Sequence, residues 1–241
     1  MKVDHPGWIL EQIQKRSGKP TQHTFLDAYL GNSHPRYPIN NPTLRGIARE
    51  FMRAHKDLTS NEFAQLLGAL VHGESATEKM MAGLLLDYAT LTQRKFKPQF
   101  FEDWLSQLVG WAEIDTLCTN QYTRTEIPAQ WPAWAPLLTK FSKSTHIGKR
   151  RASLVLLCAP VRYTQDADMA EMAFNNIRRL SGERDVLITK AISWLLRSMI
   201  KLYRREVSTF VKENESLLPP IAVRETRTKL LTGIKGKRKS G

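Results

Sequence analysis

Trp111 and Asp115 stand four residues apart in the segment GWAEIDTL, directly after Gly110. Positions i and i+4 share one helix face, so an indole and a carboxylate here point the same way. The chain around them carries 36 Lys and Arg against 23 Asp and Glu, a formal net charge of +13. A carboxylate beside an aromatic ring, on a protein basic enough to seek polyanions, suits chemistry on a cationic group held near DNA or RNA. The same spacing also describes a core indole followed by a solvated acid, and spacing alone favours that plainer arrangement.

Three further groups bear on the chemistry. Trp194, in KAISWLLRSM, has Lys190 one turn before it and Arg197 one turn after it. A helical Trp is more often core than ligand-facing, yet core positions are seldom bracketed by cations on one face. The bracket favours a surface that meets phosphate. Lys149, Arg150 and Arg151 follow Gly148 and open an apolar stretch, either as a solvated helix end or as phosphate clamps. Tyr29, in AYLGN, is ordinary by itself.

Other machinery is set aside. The six His are scattered, with no HExxH and no Cys/His cluster, so no metal site is expected. No glycine-rich loop opens a helix after a strand, and the Lys- and Gly-rich tail lacks the spacing of a phosphate loop. No Ser/His/Asp arrangement stands out, and no cofactor is expected. Cys118 and Cys158 lie inside apolar stretches, which suits buried, reduced thiols.

The elements that must position these groups are helices. Leu10 and Ile13 mark a first short helix, and Phe25, Leu26, Tyr29 and Leu30 a second. Asn40-Asn41-Pro42 precedes LRGIAREFMRA as a capped start, and Thr59-Ser60-Asn61-Glu62 and Ser75-Ala76-Thr77-Glu78 have the pattern of capping boxes. Pro128, Trp131, Pro132 and Pro136 are expected to bound a short helix over roughly 135–144. Further helical segments follow to the region of Gly233, about a dozen in all, and no segment alternates as a strand does. Antiparallel helix pairs recurring at roughly 35–45 residues predict an all-α, curved alpha-solenoid of HEAT-like pairs, with an irregular helical bundle as the alternative. Residues 1–232 are expected to form one HEAT-like domain, and 233–241 a basic, disordered tail. The longest apolar stretch, Ala152 to Val161, is too short to span a bilayer, and the N-terminus is no signal peptide. No membrane association is expected, and a cytoplasmic location is.

Taken in order, YLGNSHPRYPINNPTLRGIAREF, ATEKMMAGLLLDY, GWAEIDTL, GKRRASLV and KAISWLLRSM resemble the AlkD-type alkylpurine DNA glycosylases, a family built from HEAT-like repeats. The resemblance runs from about Asp27 to Arg227, and the last three segments carry most of it because their separations match as well as their letters. It implies that Trp111 and Trp194 contact the lesion nucleotide and its sugar, and that Asp115 is the catalytic carboxylate. It places Tyr29 by the same cleft. Arg150 is implied as a DNA contact with Lys149 beside it, Arg151 being the rival one position on, and Lys190 and Arg197 as backbone contacts around Trp194. One departure is Tyr37-Pro38-Ile39, where relatives commonly carry an aromatic pair followed by Gly.

The implied activity is hydrolysis of the N-glycosidic bond of cationic N3- or N7-alkylated purines, in base excision repair, without a deep base-flipping pocket. The implied partner is double-stranded DNA carrying such purines, bound by a monomer. Two other readings stay open: a non-catalytic HEAT-like protein that binds distorted or branched DNA, and an interaction solenoid whose basic face meets acidic partners.

Overall fold

Side-chain caps set where the first helices begin. In the computed structural model, which describes residues 4–21 and 31–235, helix α1 (His5–Ser17) starts where Asp4 accepts a hydrogen bond from the Gly7 N–H at 3.0 Å. Asn40 does the same for α2 (Asn41–Ala54), accepting from Thr43 at 2.9 Å with Pro42 in the first turn. Both sequence-predicted capping boxes are formed: Glu62 returns a bond to Thr59 at the head of α3 (Ser60–Val71), and Glu78 to Ser75 at the head of α4 (Ala76–Tyr88). The chain continues through α5 (Phe100–Trp104), a 3-10 turn, α6 (Gly110–Cys118) and α7 (Gln121–Ala129). Then come α8 (Trp131–Ser142), α9 (Ile147–Cys158), α10 (Pro160–Tyr163), α11 (Ala167–Leu180), α12 (Val186–Met199), α13 (Arg204–Glu213) and α14 (Pro220–Thr232).

The protein is all-α. Among the described residues the β structure amounts to an isolated bridge between Thr21 and Arg36. The helix expected around Phe25 to Leu30, Tyr29 with it, and residues 236–241 of the tail lie outside the described residues.

The chain divides into two compact units, Met1–Glu126 and Ile127–Gly241. In the first, α2, α4 and α6 pack side by side as one row, while α1, α3 and α5 form a second layer against it. In the second, α9, α12 and α14 make a row, with α8 and α11 layered on it and α13 joining α12 to α14. The contacts join described helices one to three places apart along the chain, the pattern of helix pairs stacked in series. The central helices of the rows are buried almost all round: in α9 every residue from Arg151 to Cys158 is buried. That is where the apolar Ala152–Val161 stretch goes, broken at Pro160, which begins α10. Among the described residues no helix is long and apolar enough to cross a membrane. Cys118 and Cys158 are both buried, as expected, and no disulfide joins them.

The prolines were the misleading signal. They do not bound a helix at 135–144: α7 runs through Pro128, and α8 contains both Pro132 and Pro136. Pro132 sits in the first turn, where a backbone N–H has no helical acceptor to lose. Pro136 forfeits one hydrogen bond, set against the burial of Trp134, Leu137, Leu138 and Phe141 along the same helix.

Candidate active site

Helix α6 is held in place from behind. Gly110, at its start, has φ of +70°, a left-handed conformation that a side chain would strain. Val109, just before it, donates its N–H to the Glu113 carboxylate at 2.9 Å, and His34 Nδ1 lies 3.0 and 3.2 Å from the two Glu113 oxygens. Glu113 is fully buried, and burial pushes its carboxyl above the ordinary range against the pull of Val109, His34 and Lys79. Lys79 of α4 is buried too and donates Nζ to the Val71 carbonyl at 2.7 Å. Burial lowers its ammonium below the usual value, with the charges of Glu113 and Glu78 opposing.

On α4, Gly83 meets α6 directly. A Cβ there would stand 2.3 Å from the Thr116 carbonyl oxygen, so only glycine admits this approach. Gly83 and Thr116 both border a cleft of about 370 Å³, which Trp111 and Asp115, each half-buried on α6, line together with Tyr37, Arg45, Thr77 and Asp87. The shared helical face expected of Trp111 and Asp115 is therefore present, and it opens on a cavity.

Three of the cleft residues carry no sequence signal of their own. Arg45 of α2 donates Nη1 to Asp87 Oδ2 of α4 at 2.9 Å, and the other Asp87 oxygen accepts the Gln121 N–H at the head of α7, also at 2.9 Å. The bond to Asp87 raises the Arg45 guanidinium above its usual value. Asp87 is thus occupied as a structural carboxylate, tying α2, α4 and α7 together. Tyr37, in the segment that departs from the family pattern, gives its N–H to Thr77 at 2.9 Å and accepts from Gln14 at 3.2 Å. Tyr37 and Ile39 of this segment form part of the cleft wall.

In the second unit, Lys190, Trp194 and Arg197 form a half-buried stripe on α12, flanked by the buried Ile188, Ala191, Ile192 and Leu195. Trp194 is neither sealed in the core nor fully exposed. Arg197 is not simply aimed at solvent: its Nε lies 3.3 Å from Glu225 Oε2 and 3.2 Å from Ser193 Oγ. Ser193 in turn donates to Glu225 at 2.6 Å, and Lys229 donates to the Arg197 carbonyl at 3.0 Å. Burial lowers the Arg197 guanidinium against the pull of Glu225. Burial alone would raise the Glu225 carboxyl, but the Ser193 bond and the charge of Arg197 hold it below the ordinary range.

The basic triplet separates into three different environments. Lys149 is half-exposed near the head of α9. Arg150 grips Glu183 with two bonds, Nε at 2.6 Å and Nη2 at 3.1 Å, and gives Nη1 to the carbonyls of Ser144 and Thr145. Arg151 is buried and donates to the Leu187 carbonyl, bracing α9 against α12, so its surroundings differ from those expected of a phosphate clamp. Its partner lies 36 residues away, and nothing in the triplet itself signals it. Among the described residues no three His, Cys, Asp or Glu side chains gather to hold a metal ion.

Known proteins place this architecture. No curated protein matches the chain. A solved structure described as a predicted DNA alkylation repair enzyme from Enterococcus faecalis superposes with a TM-score of 0.69, covering 86% of this chain and 93% of that one at 18% identity, a likeness of fold. A family model described as DNA alkylation repair enzyme matches residues 10–230. With nearly the whole chain inside that match, the protein belongs to the DNA alkylation repair enzyme family.

Proposed function

We propose that the protein is an AlkD-type DNA glycosylase that releases N3- and N7-alkylated purines from duplex DNA. The observation that carries this reading is the pairing of Trp111 and Asp115 on one face of α6, opening on a cleft rather than on core or bulk solvent. Family membership makes alkylated DNA the substrate class.

The chemistry fits a site with one available kind of catalytic group. A purine alkylated at N3 or N7 is already cationic, so it leaves without a general acid. As the C1′–N9 bond breaks, its electron pair goes to the purine, which departs neutral, and the sugar gains oxocarbenium character. The Asp115 carboxylate beside that sugar stabilises the developing charge and orients a water, which adds at C1′ and loses a proton. The Trp111 indole contributes cation–π attraction of about 0.5–2 kcal/mol, growing as charge accumulates on the sugar. A carboxylate and an indole acting on charge already present explain why no base-reading pocket is required, in contrast to enzymes that extrude their target base.

For the second unit we propose that the Lys190–Trp194–Arg197 face and the Lys149–Arg150 end of α9 contact DNA. Of these, Arg150 and Arg197 reach phosphate only by sharing or exchanging Glu183 and Glu225. Binding of the whole chain as a monomer to duplex DNA carrying alkylated purines completes the proposal.

The test is single-turnover incubation of the full chain with N-methylpurine duplex and detection of free 7-methylguanine and 3-methyladenine. Release of either base is the expected result. Salt-sensitive binding without release would assign the protein to the non-catalytic DNA-binding reading instead.

A further inference from the structure

Helix α14 ends the helix row of the second unit, and its two faces differ. One face, around Ala222, Glu225, Thr226 and Lys229, is packed: Ala222 and Thr226 are buried, Glu225 bonds Ser193, and Lys229 bonds the Arg197 carbonyl. The opposite face carries Pro220, Arg224, Arg227, Thr228 and Leu231, spaced as one stripe along the helix. That stripe borders an open groove of about 830 Å³, completed by Arg184 and the turn that leads into α14.

The groove combines apolar and cationic side chains. Of its apolar lining, Leu218 and Val223 are buried and Leu231 is 86% exposed; Leu217, next to lining residues Ser216 and Leu218, is 62% exposed. Exposed large apolar side chains grouped around a groove mark interaction surfaces. Its charged members are three arginines and one acid. Arg184, Arg224 and Arg227 face one acid, Glu215, which Arg227 occupies with a close ion pair.

From this geometry we infer that the outer face of α14 is a docking surface for an amphipathic helix of a partner protein, with leucine-like anchors along one side and acidic residues at its borders. Such a segment would lie along α14, its apolar side covering Leu217 and Leu231 and its carboxylates meeting Arg184 and Arg224. Arginine beside apolar anchors is the side-chain mixture that concentrates binding energy. Other occupants fit less well. Residues 236–241, Gly-Lys-Arg-Lys-Ser-Gly, have no apolar side chain and the wrong sign of charge. A second copy would set three arginines against three. A DNA backbone would satisfy the arginines and leave the leucines uncovered.

The test uses the full chain and a fluorescein-labelled helical peptide with Leu at i, i+3, i+4 and i+7 and Glu at the borders, read by anisotropy. A peptide of the same composition in scrambled order is the control. The helical peptide is expected to bind, and Leu231→Glu and Arg224→Glu each to weaken it about tenfold or more, with thermal stability unchanged because both side chains are exposed. Failure of the helical peptide to bind, equal binding of the scrambled one, or indifference to Leu231→Glu overturns the inference. A loss of duplex affinity in both variants would assign the face to DNA. A wild-type dimer abolished by Leu231→Glu would assign it to a second copy. None of these outcomes depends on excision activity.

Discussion

Glu113 shows what a single residue contributes to the cleft from behind it. It is buried and caps the start of α6, while Trp111 and Asp115 on either side of it along the chain face the cavity. Because burial raises its folded-state pKa, the stability it contributes is present below the unfolded value and is lost as pH rises through the raised one. Glu113→Gln removes that titration, so its melting temperature relative to wild type should climb between mildly acidic and neutral pH, followed by thermal unfolding at several pH values. A difference that stays flat would mean that Glu113 is not the group being desolvated. Arg150 is instead held by Glu183 and two carbonyls, partners that it must share or exchange to reach phosphate. Arg150→Ala leaves Glu183 and two carbonyls without their donor and should cost about 1–3 kcal/mol, measurable by urea denaturation. A variant as stable as wild type would show that the guanidinium is not committed to Glu183 in solution. Neither role is legible in the chain itself. Glu113 reads as one more helical acid, and Arg150 finds its partner 33 residues away.

At the scale of elements, the position of α6 against α4 decides whether the cleft exists. The contact depends on Gly83, and Gly83→Ala would drive a methyl group into the Thr116 carbonyl. Overpacking of that kind typically costs about 1–3 kcal/mol, and α6 must move or tilt to relieve it. Excision should fall more than stability alone explains, checked by assaying the variant at a temperature where it is fully folded. Helix starts were the most legible part of the architecture, because Asn40, Thr59 with Glu62 and Ser75 with Glu78 act within three residues of themselves. Helix ends governed by proline were not, since burial of Trp134 and Phe141 outweighs the hydrogen bond lost at Pro136. The cleft was half legible. Trp111 and Asp115 share a helix face by spacing, whereas Tyr37, Arg45 and Asp87 come from other segments and converge through packing that no local pattern encodes.

The molecule as a whole carries +13, and its family places DNA opposite that charge. Each phosphate neutralised by a free cation lowers the slope of log affinity against log salt by about 0.9. Lys149→Ala should therefore flatten the salt dependence of duplex binding by about that amount, whereas an unchanged slope would remove Lys149 from the interface. Charge accounts for attraction to DNA and not for chemistry, so the two must be separated in one experiment. The most direct is single-turnover release of 7-methylguanine from methylated duplex by Asp115→Asn beside wild type, with duplex affinity measured in parallel. Loss of one electrostatic stabiliser of the transition state predicts release slowed by about 10²–10³-fold with affinity nearly unchanged. Release at the wild-type rate would contradict the assignment of Asp115, and with it the proposal that the cleft on α6 is where the glycosidic bond breaks.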